Sequence, residues 1–165
     1  MIEKIISGGQ TGADQGGLDF ALGNGIEAGG WCPKGRVCEI GIIPARYPVV
    51  EIAEDDYNLR TRMNVGDSDG TLVIIRDGYM EEGTHITVEY CTSLSKPHFL
   101  IDFMIMSGQM ESVFSALINW ISENQISVLN VSGNRESNSP GIQKETYNLL
   151  KQVFEELKVL PDNSE

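Results

Sequence analysis

The chain opens with a short apolar run, Ile2 to Ser7, that passes straight into Ser7-Gly8-Gly9-Gln10-Thr11-Gly12-Ala13-Asp14. A helical pattern follows that directs Leu18, Ala21 and Leu22 inward. A strand, a glycine turn and a helix N-terminus together begin a βαβ unit and make an anion site. Glycines let backbone N–H groups approach an oxyanion closely, and the helix dipole adds partial positive charge there. The turn lacks the lysine of a Walker loop, and its Gly-Gly-x-x-Gly spacing differs from the dinucleotide fingerprint. Two readings stay open. Gly8, Gly9, Gln10, Thr11 and Gly12 form a phosphate cradle, or Thr11 caps a tight turn with Asp14 as its capping-box partner.

The rest of the chain repeats this alternation. Short β-rich apolar runs predict strands over Ile2–Ser7, Gly70–Arg76, His98–Phe103 and Ser127–Ser132, with weaker ones at Ile26–Cys32 and Pro48–Val50. Helical spacing predicts Ala13–Asn24, Tyr57–Val65, Thr84–Leu94, Gln109–Glu123 and Pro140–Leu157, the last with Ser139 as its cap. Strands alternating with helices imply an α/β fold, Rossmann-like and doubly wound, a mostly parallel sheet with helices on both faces. At 165 residues the chain fits one domain over 1–160, with an acidic tail at 161–165. Gly29–Tyr47 is the least regular stretch, and an irregular segment of that length inside a domain is often functional.

Charge narrows the partners. A net charge of −12 argues against nucleic acid and against an anionic membrane surface. No apolar run approaches the ~20 residues of a membrane span, and the N-terminus does not resemble a signal peptide. Three cysteines, Cys32, Cys38 and Cys91, match neither a zinc site nor a disulfide framework, which points to a reducing cytoplasm. The two histidines, His85 and His98, have no partner at metal-ligand spacing, so no metal site is expected.

Four loops lie beyond predicted strand ends, where open α/β sheets bind ligands. The first is the glycine turn. The second, Trp31-Cys32-Pro33-Lys34-Gly35-Arg36, offers two cations and an indole, either stacked on a heterocycle or buried. Cys32 lies beside basic residues, a setting that lowers a thiol pKa. The third, Asp77 to Thr84, is a second strand–glycine–helix junction whose Asp77, Glu81 and Glu82 oppose an anion unless they point elsewhere. The fourth, Gly133 to Gly141, carries Arg135, able to grip an oxyanion through two N–H groups or to pair with a carboxylate. Lys34, Arg36, Arg76 and Arg135 thus form a basic rim, while Arg60 and Asn64 share a helix face that is more often solvated than functional.

The segments SGGQTGADQGGLDFAL, GGWCPKGRVCEIGIIPARYPV, YNLRTRMNVGDSDGTLVI with EEGTHIT, and NVSGNRESNSPGI, in that order, resemble the molybdenum cofactor carrier-like branch of the SLOG superfamily. The Lonely-guy phosphoribohydrolases and the DNA-processing DprA proteins belong to the same superfamily. The resemblance implies a Rossmann-like fold, a homo-dimer or homo-tetramer, and a small phosphorylated, nucleotide-like ligand. It implies molybdenum cofactor (molybdopterin) or a nucleotide as that ligand, and carriage or storage as the function. Gly8, Gly9, Gln10, Thr11 and Gly12 would hold the phosphate, with Lys34 near it. Gly83, Thr84 and Thr87 would line the second junction, and Arg135 and Ser137 would close over the anion.

The hydrolases carry Pro-Gly-Gly-x-Gly-Thr-x-x-Glu, whose glutamate acts on the glycosidic bond. Here Gly83-Thr84 is kept, but Thr87 stands at the glutamate position. Glu89 is two residues further, about 200° around a helix. Whether any reaction is catalysed stays open. An enzyme using Asp14, Glu82 or Glu89 as acid or base, and a nucleotide-sensing module, are the alternatives.

Overall fold

A computed structural model describes residues 1–104 and 108–159. The predicted acidic tail at 161–165 lies outside them. Five strands form one parallel sheet: β1 (Lys4–Ile6), β2 (Glu27–Gly29), β7 (Gly70–Ile75), β8 (His98–Asp102) and β9 (Val128–Gly133), in the order β2-β1-β9-β7-β8. Ile5 pairs in register with Ala28 on one side and Leu129 on the other. Leu72 stands between Val131 and Phe99. Five helices join them: α1 (Ala13–Gly23), α2 (Tyr57–Asp67), α3 (Glu82–Ser93), α4 (Met110–Glu123) and α5 (Ile142–Val159). The α/β, doubly wound, Rossmann-like architecture read from the alternation is the one observed.

The weak strand expected over Ile26–Cys32 is split in two. β2 pairs with β1, whereas β3 (Trp31–Cys32) leaves the sheet and pairs in parallel with β6 (Val50–Glu51). The break is at Gly30, which has φ 125° and lies so close to β1 that a Cβ would sit 2.1 Å from the Ser7 carbonyl oxygen. Only glycine combines that backbone with that approach. Within the irregular stretch, β4 (Val37–Cys38) and β5 (Gly41–Ile42) make a small antiparallel hairpin.

The main core joins α1, α4 and α5 to one sheet face, with Leu72, Ile74, Leu129 and Val131 buried against Phe20, Leu117 and Leu150. α1 departs from expectation at one position: Leu18 and Ala21 are buried, but Leu22 is 44% exposed and Phe20 turns inward onto Tyr147 and Phe154 of α5. α2 packs on α3. Along β9, Asn130 and Ser132 alternate with Leu129 and Val131 and therefore point away from the main core. The chain runs from β1 to β2 on one side, while β9, β7 and β8 lie on the other. The crevice beyond the carboxyl ends of β1 and β9 is thus the topological switch point, where open α/β sheets take their ligands.

Candidate functional site

A cleft opens at that switch point, built by four elements. The β1–α1 turn contributes Gly8, Gln10 and Asp14, and α2 contributes Arg60, Thr61 and Asn64. The β7–α3 junction adds Glu81, Gly83, Thr84 and Thr87, while β9 and its loop add Asn130, Ser132, Gly133 and Arg135. Counting its mouth the cleft spans about 490 Å³, but the room inside for the centres of water molecules is about 40 Å³. That is enough for a few waters.

Side chains from across the fold fill the remainder. Arg60, only 11% exposed at its side chain, places Nη1 within 3.6 Å of Asp14 Oδ2. The guanidinium lies directly on Gly8, where an added Cβ would sit 1.5 Å from Nη1. Opposite, the Glu81 carboxylate accepts the Arg135 backbone N–H at 2.6 Å and stands 3.4 Å from Arg135 Nε. Two arginines and two carboxylates therefore meet in one cleft. Between the pairs lie hydroxyls: Thr87 donates to the Gly83 carbonyl at 3.0 Å and lies 3.3 Å from Ser132 Oγ. Asn134, fully buried, ties the rims together by donating to the Tyr79 carbonyl and Ser139 Oγ and accepting the Glu81 N–H.

The amides of the glycine turn face the protein's own acceptors. Gly9 N–H reaches Ser7 Oγ, Gln10 N–H reaches Asp14 Oδ2, and Thr11 N–H reaches Gln10 Oε1. α1 is not capped by Thr11; Gly12 holds the N-cap position without a side-chain bond, and Asp14 reaches back to Gln10. Burial pushes the Asp14 carboxyl up to about 6, opposed by Arg60 and by the Gln10 and Gly8 amides, and Glu81 adds to the rise. A charged group taken out of water resists ionisation unless its partners compensate fully.

The structure brings Gly8, Gln10, Gly83, Thr84, Thr87 and Arg135 together in the cleft. Gly9, Thr11, Gly12, Lys34 and Ser137 do not line it. Thr11 Oγ1 donates to Glu39 on the β4–β5 hairpin, and Ser137 gives the same carboxylate its N–H at 3.2 Å and its O–H at 2.5 Å. Burial works against ionisation of Glu39, but the hydrogen bonds from Ser137 and Thr11 outweigh it and pull that carboxyl down. Lys34 is exposed on a short 3₁₀ turn. The basic rim dissolves likewise. Arg36 donates to the carbonyls of Val49, Tyr47, Pro44 and Ile43, and Arg76 pairs with Glu145 of α5. Trp31 gives its indole N–H to Asp67, away from the cleft. Burial pushes the Cys32 thiol up rather than down, against the pull of Arg36. Ser139 does not cap α5; the Glu136 carboxylate accepts the Gly141 and Gln143 N–H groups instead.

Arg60 and Asn64, expected on a solvated helix face, and Glu81, expected to oppose an anion, all line the cleft, as do Asn130 and Ser132, for which the sequence carried no expectation. One signal was available for the last two. A strand in the middle of a sheet covered on both faces is normally apolar throughout, so polar residues alternating along Ser127–Ser132 mark a face that borders something polar. Among the acids considered for catalysis, Asp14 lies in the cleft, whereas Glu82 and Glu89 are exposed. Among the described residues, no cluster of metal-ligating side chains occurs and no helix is long and apolar enough to cross a membrane.

The model of the circularly permutated YpsA SLOG family matches residues 5–154. The chain also resembles a crystal structure described as "Putative molybdenum carrier protein" from Syntrophus aciditrophicus SB, solved at 1.45 Å. Identity is 42% and the TM-score 0.85, over 91% of this chain and 93% of that one. No curated protein matches.

Proposed function

This chain belongs to the circularly permutated YpsA SLOG family, and from that premise we propose that it binds and carries a phosphorylated heterocyclic ligand, molybdenum cofactor (molybdopterin) foremost. The observation that carries the reading is the meeting of Arg60 and Arg135, from α2 and from the β9–α5 loop, in one cleft at the switch point. Guanidinium groups present paired N–H donors to the oxygens of a phosphate. Thr84 and Ser132 add hydroxyls to the wall. The name borne by the Syntrophus protein, at 42% identity, favours molybdenum cofactor over an ordinary nucleotide.

The donor set fits the organic and phosphate parts of that cargo. No cysteine lines the cleft, so the protein would hold the molybdenum centre by hydrogen bonds and not by a thiolate. With about 40 Å³ of interior room, the anionic group enters the cleft and the heterocycle lies over its mouth; sites that bury a whole ligand span about 300–1,000 Å³. A homo-dimer or homo-tetramer belongs to the same proposal. Val37, Ile40 and Ile42, all more than half exposed around the β4–β5 hairpin, offer such an assembly an apolar surface to bury.

The test is native mass spectrometry with metal analysis on protein purified from its own host. A bound species with the mass of a phosphorylated pterin and a stoichiometric share of molybdenum is expected. A nucleotide of ordinary mass in its place would redirect the reading to the nucleotide-processing or nucleotide-sensing alternative. Asp14, buried in the cleft with its carboxyl held near neutrality, is the residue that favours the processing alternative.

A further inference from the structure

The cleft holds its own anion. Asp14 Oδ2 accepts the Gln10 N–H at 3.3 Å, the Gly8 amide faces the same carboxylate, and Arg60 Nη1 stands 3.6 Å away. Those are the donors that an incoming phosphate would use. Both side chains are almost fully enclosed, 7% exposed for Asp14 and 11% for Arg60. Asp14 already occupies these donors, so a phosphate that used them would take the place of its carboxylate.

We propose that Asp14 is a built-in competitor for the ligand's anionic group: a phosphate displaces its carboxylate from Arg60 and from the Gly8 and Gln10 amides, and Asp14 takes up a proton as it is displaced. The inference rests on the reading of the cleft as a site for a phosphorylated ligand. Its physical basis is that two anions in one enclosed site cannot both stay ionised. The phosphate retains the arginine, so the carboxylate is the group that neutralises. Loading is then tighter in mild acid, and release is favoured as pH rises.

The surroundings of Asp14 support that direction. Arg60 on α2 is the cation that opposes the rise caused by burial, and Glu81 at the start of α3 adds to it. Arg135 is paired with Glu81, so it stands as a counter-charge to that carboxylate and not to Asp14. The Cys32 thiol, which also feels Arg60, is pushed up by burial and contributes no charge near neutrality. Displacement removes from Asp14 the arginine and both amides, the three influences that hold its pKa down, while burial remains. A carboxyl already near 6 in the resting protein therefore moves further up.

The experiment is calorimetric titration of the full chain with guanosine 5′-monophosphate and, separately, with inorganic phosphate, in buffers of unlike ionisation enthalpy at about pH 8. The second phosphate ionisation lies near pH 6, so at about pH 8 any proton taken up comes to the protein. Wild type is expected to take up close to one proton per ligand bound, and to weaken about tenfold for each pH unit above neutrality. Asp14→Asn is expected to bind with no proton uptake and, at about pH 8, about tenfold or more tightly than wild type. Binding by wild type without proton uptake overturns the inference and leaves the cleft reading intact; this count needs no variant to fold. Failure of both probes to bind wild type at about pH 5.5 and at about pH 8 overturns the cleft reading, and the inference with it.

Discussion

Arg60 and Asp14 face each other across the glycine turn, Nη1 to Oδ2 at 3.6 Å, and both are nearly enclosed. The pair joins α2 to the first turn of α1, although the two residues are 46 positions apart in the chain. Because burial outweighs the arginine and the amides, the Asp14 carboxyl is at about 6 in the folded protein against an ordinary 3.8. Between about pH 4 and pH 6 the folded state keeps this proton and the unfolded chain has lost it, so stability falls as pH rises through that window. About two units correspond to roughly 3 kcal/mol. Asp14→Asn is expected to remove this slope, gaining on wild type by about that amount between pH 4 and pH 7. Urea unfolding of both proteins at the two pH values measures it, and an unchanged difference between them would defeat the expectation.

Gly8→Ala tests the same pair from the other side. The new Cβ would occupy the position of the Arg60 guanidinium, 1.5 Å from Nη1. The arginine is the flexible end of a long side chain, so the fold accommodates the methyl by expelling it. Asp14 is then left enclosed without its counter-charge, which is expected to cost about 1–3 kcal/mol. The Asp14 carboxyl is expected to titrate above its wild-type value of about 6. NMR titration of the carboxyl carbon together with thermal unfolding reads both effects.

The sheet and its helices were legible because apolar periodicity reports directly on which side of an element is buried. β7 and α4 show this, with Gly70–Ile75 buried at every position and Leu117, Ile118 and Ile121 turned inward. Gly8, Gln10 and Arg135 could be placed at one cleft because strand–turn–helix junctions fall at the carboxyl edge of the sheet, whereas Gly9, Thr11 and Gly12 do not line it. Arg60 was not legible. On its own helix it looks like any solvated arginine, and its burial comes from β3 leaving the sheet and from Asn64 clasping the Trp31 backbone N–H and carbonyl. Glu81 was hidden for a related reason, since its charge opposes an anion until Arg135 is known to stand beside it. Arg36 shows the converse, a loop cation in the expected place whose guanidinium is turned inward onto four carbonyls.

Arg36→Lys is expected to be a stability variant and not a binding variant. The guanidinium bonds Val49 O at 2.8 Å, Tyr47 O at 3.0 Å, Pro44 O at 3.1 Å and Ile43 O at 3.4 Å, fastening the segment that runs between β4 and β6. An ammonium on a flexible stem cannot span four acceptors. Loss of about 1.5–3 kcal/mol in unfolding free energy is expected, with unchanged affinity for guanosine 5′-monophosphate. A matching loss of affinity at full stability would return Arg36 to the binding site.

Nucleoside monophosphates incubated with the protein are expected to release little or no free base. Position 87 of α3 faces the cleft, and it carries a threonine whose hydroxyl is engaged with Gly83 and Ser132. A correctly placed acid or base contributes about 10²–10⁴-fold in rate, and Glu89 is exposed outside the cleft. Chromatography of the reaction mixture decides the matter. Robust release that vanishes in Asp14→Asn would establish the nucleotide-processing alternative in place of carriage.

Arg135 is the remaining cation of the cleft, and its two roles separate cleanly. Its backbone N–H holds Glu81 at 2.6 Å, a bond that survives any change of side chain. Its guanidinium is 40% exposed and only 3.4 Å from that carboxylate, so the side-chain pair contributes little to stability. Gripping an anion at the rim is the role proposed for it. Arg135→Ala is expected to weaken binding of guanosine 5′-monophosphate by about 1.5–3 kcal/mol, the range for a hydrogen bond to a charged group. Arg135→Lys recovers part of that loss, since a point charge attracts the phosphate but cannot match its oxygens in pairs. Calorimetric titration of wild type and both variants, with thermal unfolding alongside, distinguishes the outcomes. Unchanged affinity removes Arg135 from the site, whereas equal losses of melting temperature and affinity make it a structural residue whose effect on binding is indirect.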